Sequence, residues 1–332
     1  MVKWSVILSK IVKMLTTQFT YELPNELIAR EPIEPRDSAR LLVSRTSDEL
    51  LDTQISNLCN FTEHGDLIVV NNTKVLPARI PIVRNTGGSG EIFLLNRIGA
   101  RIWEALVKPS AKIDDGEKVL VANSDIEIVI GQNNGEGHRV ITFDHSNENQ
   151  SDLDIIHAVG QTPLPPYMGK VDIELDRYQT MFAKREQSVA APTAGLHFTP
   201  KLKQELKDKG VEIVEVTLHV GVGTFRPIMT ANIEDHNMHS EYYEVSGEVW
   251  EKINETKKRG NKIIAVGTTS LRTLESVALN NVLKGDTNIF CHGDFDFKIV
   301  DVLLTNFHQS ESTLLVLLDA FIGARWRDLY SH

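Results

Sequence analysis

The segment AAPTAGLHF at residues 190–198 combines small residues with an imidazole and an aromatic ring. Small residues allow backbone amides to approach a ligand closely, and Thr193 and Gly195 are candidates for such contacts. His197 can transfer a proton near neutral pH, and Phe198 can stack on a nucleobase. The pattern predicts a nucleoside-binding loop, although a tight loop that leads into a helix and holds a hydrogen-bonded histidine explains the spacing equally well.

Residues 217–227, TLHVGVGTFRP, place a histidine and two glycines after an apolar run that predicts a buried strand at 211–220. Ligands of open α/β sheets bind at the carboxyl ends of strands, so His219 is a second acid–base candidate. The G-x-G pattern lacks the third glycine and the following helix of a dinucleotide fingerprint, and alone it is more typical of a structural turn. If this turn binds substrate, the candidates are Gly221, Gly223, Thr224 and Arg226.

Two more predicted strands, 262–266 and 299–304, also end in polar residues. The first leads into Gly-Thr-Thr-Ser at 267–270 and a predicted helix, whose free amides could bind an anion, although N-capping by Thr269 or Ser270 explains the pattern as well. The candidates for substrate binding at these two strand ends are Gly267, Thr268, Thr269, Arg272, Glu275 and Asn306, and His308 is a further candidate for proton transfer.

The segment DHNMHSE at 235–241 adds two imidazoles and a carboxylate. Its H-x-x-H spacing fits a zinc-binding helix poorly, so we predict no metal site there. We interpret His239 and its neighbours as solvated or substrate-facing groups.

Composition limits the class of protein. With 332 residues, 41% hydrophobic and 24% charged, the sequence is typical of a soluble globular protein with two domains. The apolar run at 4–15 is interrupted by Lys10 and Lys13 and is too short to cross a bilayer, so we predict no membrane span and expect Met14 to be the natural start. Two separated cysteines, Cys59 and Cys291, give no disulfide framework and indicate a reducing, cytoplasmic compartment.

The formal net charge of −10 argues against a protein that coats nucleic acid through bulk electrostatics. Any RNA contact must therefore use local basic patches. EPRDSAR at 34–40 and NNTKVLPAR at 71–79 interleave cations with turn-forming residues. Isolated cations are usually solvated surface, but these offer possible phosphate contacts at Arg36, Arg40, Lys74 and Arg79.

Two hydrophobic patterns divide the chain. Between about 65 and 143, short apolar runs alternate with turn signals, which predicts a small antiparallel barrel. After 153, predicted helices, among them 175–183, 200–209 and 247–258, alternate with strands, which predicts a parallel sheet with crossovers. Because the opening segment has too few elements to fold alone, we predict an α/β domain assembled from both chain ends, residues 14–62 and 153–332, with a small antiparallel β-barrel domain inserted at 63–152.

These segments, together with EPRDSARLLV, NNTKVLPARI, PLPPY and DVLLTNFH, resemble one family in order and spacing, the S-adenosylmethionine:tRNA ribosyltransferase-isomerases of queuosine synthesis. The resemblance runs from about Phe19 to near the C-terminus and implies an α/β domain with an inserted barrel. It also implies the reaction. The ribosyl group of the co-substrate S-adenosylmethionine is transferred and isomerised onto 7-aminomethyl-7-deazaguanine at the tRNA wobble position, giving epoxyqueuosine-tRNA and releasing adenine and methionine, with no metal required.

Such a reaction needs a base beside the sulfonium, an acid for the departing adenine and an amine, which the modified nucleobase supplies. On this resemblance His197 and His219 are the leading acid–base candidates, followed by His239 and His308. Lys108 in ALVKPS joins the expected RNA contacts, and a monomer is expected. The acidic Glu311 stands where the family has a basic residue, which weakens the expected RNA contact there, and the sequence ends inside the expected final helix.

Two alternatives remain open. The chain could be a paralogue that uses S-adenosylmethionine with another acceptor. It could also be an inactive tRNA-binding relative, an alternative kept open by the acidic balance and by the end of the sequence inside the expected final helix. The intact AAPTAGLHF and GVGTFRP segments count against an inactive relative. A nicotinamide oxidoreductase is disfavoured because the sequence has no strand-proximal G-x-G-x-x-G with a downstream acid.

Overall fold

The computed structural model describes residues 13–45, 49–135, 137–144, 150–169, 171, 173–221 and 227–332. A hairpin of β1 (Arg40–Ser44) and β2 (Leu50–Gln54) opens the regular structure. β3 (Leu67–Asn71) and β4 (Thr73–Val75) follow, separated only by Asn72. All five residues of β3 are buried, as expected for a strand covered on both faces.

A closed barrel of six antiparallel strands comes next. Its strands are β5 (Arg79–Arg84), β6 (Ser89–Gly99), β7 (Ile102–Lys108), β8 (Lys118–Val121), β9 (Glu127–Asn133) and β10 (His138–Asp144), in the order β10-β7-β6-β5-β8-β9. Alternate residues point inward, so Val119 and Val121 are buried while Leu120 between them is exposed. Helix α1 (Asp152–Val159) packs Ile155 and Ile156 against this core. The predicted barrel is confirmed.

The rest of the chain alternates strands and helices, as predicted. Short 3-10 helices connect or flank these elements, at Arg36–Ser38, Ile55–Phe61, Leu175–Tyr178 and Thr193–His197 among others. The regular elements are β11 (Arg185–Ser188), α2 (Pro200–Asp208), β12 (Glu212–Leu218), β13 (Glu241–Glu244), α3 (Gly247–Lys258), β14 (Ile263–Val266), α4 (Gly267–Asn280), β15 (Lys284–Thr287), β16 (Val302–Leu304), α5 (Thr313–Ile322) and α6 (Trp326–Ser331).

A six-stranded sheet in the order β15-β13-β12-β3-β14-β16 forms the centre of the α/β domain. β3 pairs in parallel with β12 on one side and with β14 on the other, and β14 pairs in parallel with β16. β13 and β15 extend the sheet as antiparallel strands. Because β3, β12, β14 and β16 run in the same direction, their carboxyl ends meet at one edge of the sheet.

The barrel begins later than the sequence pattern predicted. β3 lies in the middle of the large sheet, and β4 pairs in parallel with β11, which follows the barrel in sequence. Residues 67–75 therefore belong to the α/β layer and not to the predicted barrel segment 63–152. At the other boundary α1 packs on the barrel core. The helix predicted at 175–183 is only the 3-10 turn Leu175–Tyr178.

Helix α4 begins at the edge of the sheet where the four parallel strands end. It begins directly after β14, because Gly267 adopts a φ of 83°, a left-handed conformation that a side chain would strain. Its first eleven residues are all buried. The helix ends at Asn280, and Asn281 caps it in the left-handed conformation. None of the helices formed by the described residues has both the length and the apolar character needed to span a membrane.

Candidate active site

The loop 190–198 lies against the carboxyl ends of the parallel strands. The residues just before the loop are tied to the segment after β12, because the Val189 amide donates to the Val220 carbonyl at 3.2 Å and the Val220 amide donates to Ser188 Oγ at 2.8 Å. Further along, a Cβ placed at Gly267 would lie 3.8 Å from the Cβ of Ala194. The structure thus brings this loop beside the ends of β12 and β14.

The end of β16 is joined to the same loop by a hydrogen-bonded chain. Thr193 Oγ1 donates to Asn306 Oδ1 at 2.7 Å, and Asn306 Nδ2 lies 3.4 Å from His197 Nε2. The threonine fixes the amide so that its NH₂ group faces the imidazole, which then carries its own proton on Nδ1. Burial lowers the pKa of His197, the Arg36 charge lowers it further, and a hydrogen bond with the Arg36 backbone opposes the shift. His197 is therefore a neutral imidazole at pH 7.

The first turn of α4 faces this cluster without a side-chain cap. Val266 occupies the N-cap position and makes no capping hydrogen bond, and Ser270 Oγ donates to the Val266 carbonyl at 2.8 Å. The alternative of N-capping by Ser270 or Thr269 is therefore not what the structure shows. Thr268 and Thr269 are buried, and no described residue forms a hydrogen bond with Thr269 Oγ1. The amides of this turn and one hydroxyl are available to an anion.

A buried ion pair ties α4 to two strand ends. The Arg272 guanidinium donates through Nη1 to Glu241 Oε2, and the Gly221 amide donates to Glu241 Oε1 at 3.0 Å. Arg272 is 3% exposed and Glu241 6%. No described residue accepts a hydrogen bond from Arg272 Nε or Nη2, so this buried cation keeps two free donors. Sequence reasoning named Arg272 but missed Glu241 as its partner.

His219 follows β12 directly and contacts β13. Its amide donates to the Tyr242 carbonyl at 2.9 Å, and its ring centre is 5.0 Å from that of Tyr242. Burial lowers the pKa of His219 and the nearby Arg185 charge lowers it further, while Glu244 and other carboxylates oppose the shift. His219 is thus a second neutral imidazole, linked to the Glu241 cluster through Gly221.

His308 serves a structural purpose in the described structure. Its ring nitrogen Nε2 lies 3.2 Å from Thr305 Oγ1, its amide donates to Tyr330 Oη at 2.7 Å, and its carbonyl accepts from Tyr21 Oη at 2.5 Å. Burial lowers its pKa to about 4. These contacts hold the loop after β16 against the C-terminal helix, and they do not include His197.

The low pKa of His308 predicts acid sensitivity. The unfolded chain protonates this imidazole near pH 6.5 and the folded chain only near 4, so stability is lost as pH falls between these values. Between pH 7 and 5 the free energy of unfolding should fall by about 2 kcal/mol more in the parent protein than in a His308→Gln variant. Urea titrations at both pH values measure this difference. Equal losses would contradict a buried, neutral His308.

Three further candidates lie in other settings. Phe198 is 1% exposed and packs edge-on against Phe182 at 5.5 Å within the core, so its ring is not presented for the predicted stacking in this structure. Glu275 accepts hydrogen bonds from the amides of 298–300, at 2.8–3.0 Å, which favours a role in holding the approach to β16. His239 is exposed. The pKa of the nearby His236 is lowered mainly by burial and further by the charge of His239.

Of the four remaining candidates for substrate binding, the structure describes only Gly195. Gly195 is buried, and a Cβ there would lie 3.2 Å from Thr180 Cγ2, so it serves close packing of the loop. Gly223, Thr224 and Arg226 lie outside the described residues. Among the described residues, no three histidine, cysteine or acidic side chains come together as metal ligands.

The predicted RNA-binding cations separate into two kinds. Arg36 is half-buried and donates to the carbonyls of 176, 177 and 179, at 2.7–3.3 Å, so its guanidinium stabilises the chain itself. Lys74 pairs with Glu186 at 2.9 Å, and Arg79 pairs with Glu91 at 2.6 Å. Arg40 and Lys108 are exposed at the ends of β1 and β7. The Lys74 side chain is also 40% exposed despite its ion pair.

Sequence reasoning did not name Phe307 as a candidate, although it lies between the candidates Asn306 and His308. Its side chain is 62% exposed, although its neighbours Asn306 and His308 are held by hydrogen bonds. The signal available in the sequence was an aromatic residue between polar neighbours in the motif TNFH.

Comparison with known proteins gives the same assignment along nearly the whole chain. The family model described as queuosine biosynthesis protein matches residues 16–332. Proteins named S-adenosylmethionine:tRNA ribosyltransferase-isomerase from Thermotoga petrophila and Carboxydothermus hydrogenoformans are 46% and 47% identical over 314 residues, 93% of this chain and 92% of each relative. A crystal structure of S-adenosylmethionine tRNA ribosyltransferase from Thermotoga maritima has a TM-score of 0.52 at 36% identity, covering 95% of this chain and 93% of that one. The chain therefore belongs to the queuosine biosynthesis protein family.

Proposed function

We propose that this protein transfers and isomerises the ribosyl group of S-adenosylmethionine onto 7-aminomethyl-7-deazaguanine at the wobble position of tRNA. The products are epoxyqueuosine-tRNA, adenine and methionine. The relatives named above carry this class of activity in their names. The observation that carries the proposal is the Thr193–Asn306–His197 chain, which holds a neutral imidazole beside the uncapped start of α4.

The two ends of S-adenosylmethionine place different demands on the site. Its methionyl carboxylate requires hydrogen-bond donors, and the Gly267–Thr269 amides supply them together with the dipole of α4. The free donors of Arg272 lie one turn further along the same helix and add positive charge. The unpartnered Thr269 hydroxyl suits the same ligand. We assign this part of the edge to the methionyl group.

Proton transfer falls to the imidazoles. His197 and His219 both have lowered pKa values and start the reaction unprotonated, so each can accept a proton from the carbon beside the sulfonium. A proton taken up in this way can then be delivered to the departing adenine, which leaves the imidazole neutral again. His197 is our first choice because Asn306 orients it.

The rest of the proposal concerns the RNA acceptor, the compartment, the oligomeric state and the co-substrates. The modified nucleobase supplies the amine, and Arg40 and Lys108 are the described exposed cations best suited to RNA phosphates. We propose that the protein acts in the cytoplasm as a monomer and that S-adenosylmethionine is its only co-substrate besides tRNA, with no metal.

The decisive test is a reaction with S-adenosylmethionine and tRNA carrying the aminomethyl wobble base. We expect adenine in the supernatant and a matching mass gain on the wobble nucleoside. Transfer RNA with guanine at that position is the control, since it lacks the amine. Adenine release with a different acceptor only would favour the paralogue, and tRNA binding without adenine release would favour an inactive relative.

A further inference from the structure

Phe307 presents an aromatic ring to solvent at the site edge. The ring is 62% exposed, whereas that of Phe198 is 1% exposed. Its neighbour Asn306 belongs to the hydrogen-bonded chain that orients His197. Consecutive Cα atoms are about 3.8 Å apart, so the ring lies within about 10 Å of that chain.

The ring is held in place and is not simply a loose surface side chain. It meets Tyr330 edge-on, with ring centres 4.9 Å apart, and Tyr330 in turn meets Tyr21 and Trp326. The peptide that follows is fixed on both sides, since the His308 amide donates to Tyr330 Oη and the His308 carbonyl accepts from Tyr21 Oη. An exposed ring on an ordered backbone loses little entropy when a flat ligand stacks on it.

The directions of the side chains indicate which ligand fits. Asn306 contacts Thr193 and His197, whereas Phe307 contacts Tyr330, so the two side chains leave the backbone in different directions. A base stacked on Phe307 would lie beside the proton-transfer cluster and not within it. The acceptor nucleobase needs this position, because its aminomethyl arm must reach the ribosyl group while the ring remains outside.

From these contacts we infer that Phe307 is the stacking residue for the wobble nucleobase of the acceptor RNA. This inference rests on the proposed function. It deepens that function by naming a specificity-determining residue on the RNA side of the site. Adenine of the donor is the other flat group in the reaction, and the experiment separates the two.

The test compares Phe307→Ala, Phe307→Trp and a matched control, Leu279→Ala, whose side chain is 68% exposed at the far end of α4. Binding is measured by fluorescence anisotropy with two RNA hairpins that contain the anticodon loop, one with the aminomethyl base and one abasic at the wobble position. Loss of base–aromatic stacking should weaken binding of the first hairpin about 5- to 150-fold in Phe307→Ala. Phe307→Trp and Leu279→Ala should bind within a few-fold of the parent.

The abasic hairpin and the donor identify what the ring touches. Phe307→Ala should bind the abasic hairpin as tightly as the parent does, and its KM for S-adenosylmethionine at saturating RNA should be unchanged. Equal binding of the base-bearing hairpin by parent and variant would overturn the inference, as would a loss that appears only in the KM for S-adenosylmethionine. A binding loss specific to the base, in a parent protein that releases no adenine, would uphold the stacking role and reject the proposed function.

Discussion

Replacement of His197 by glutamine should lower kcat for adenine release by about 10²- to 10⁴-fold, the usual contribution of a positioned acid–base group. Glutamine retains a side-chain amide near Asn306, so the loop should keep its shape, but it cannot carry a proton between two sites. The dissociation constant for the tRNA should change by less than about threefold, since His197 contacts the donor side of the site in our proposal. Single-turnover kinetics and tRNA binding measured on the same preparation test this split.

Two comparisons make this prediction specific. His138→Gln removes an imidazole from barrel strand β10 and should leave kcat unchanged. The pH dependence of kcat gives a second measurement, because the lowered pKa of His197 should make the parent rate fall only when the pH drops below the ordinary histidine range. If His197→Gln weakened tRNA binding as much as it slowed turnover, the acid–base assignment would be wrong.

Breaking the Arg272–Glu241 pair should have the largest effect on stability. Glu241→Leu leaves a buried guanidinium without its carboxylate and removes the acceptor of the Gly221 amide. Removing one member of a buried pair costs about 3–5 kcal/mol, and we expect a loss of this size in the free energy of unfolding. Urea denaturation measures it directly.

The double variant Arg272→Met/Glu241→Leu distinguishes pairing from packing. With both charges gone, the remaining cost is about 1–3 kcal/mol for the unpaired Gly221 amide, so the double variant should be more stable than Glu241→Leu alone. Additive losses from the two single variants would show that the charges do not interact. The double variant should still lose affinity for S-adenosylmethionine, because the free donors of Arg272 are absent.

Local patterns were enough to predict much of the fold. Helix α3 occupies the predicted residues 247–258, because Ser246 caps its first turn and Val249, Trp250 and Ile253 recur at helical spacing on the face that packs against the core. The barrel strands have strong alternation and short turns, and their partners lie nearby in sequence. β3 was misplaced for the opposite reason. Its run of four apolar residues, 67–70, resembles a barrel strand, and its true partners, in β12 and β14, are distant in the chain.

The candidate site was predicted in outline but not in its contacts. Sequence reasoning grouped the ends of three strands with the loop 190–198, and the structure places these segments together at one edge. Sequence reasoning could not predict that Phe198 packs into the core or that Glu241 pairs with Arg272, since both depend on tertiary contacts. The roles assigned to the individual site residues stay predictions.

The position of β3 sets an order of events during synthesis. The barrel's pairings all lie within residues 79–144, so this domain can close as soon as that stretch has left the ribosome. Leu67 of β3, which is made earlier, pairs with Glu212 and Ile263, and both emerge only after the barrel is complete. A nascent chain thus carries an unpaired, apolar strand beside a finished domain, and this strand is exposed to aggregation or chaperone capture until its partners are made.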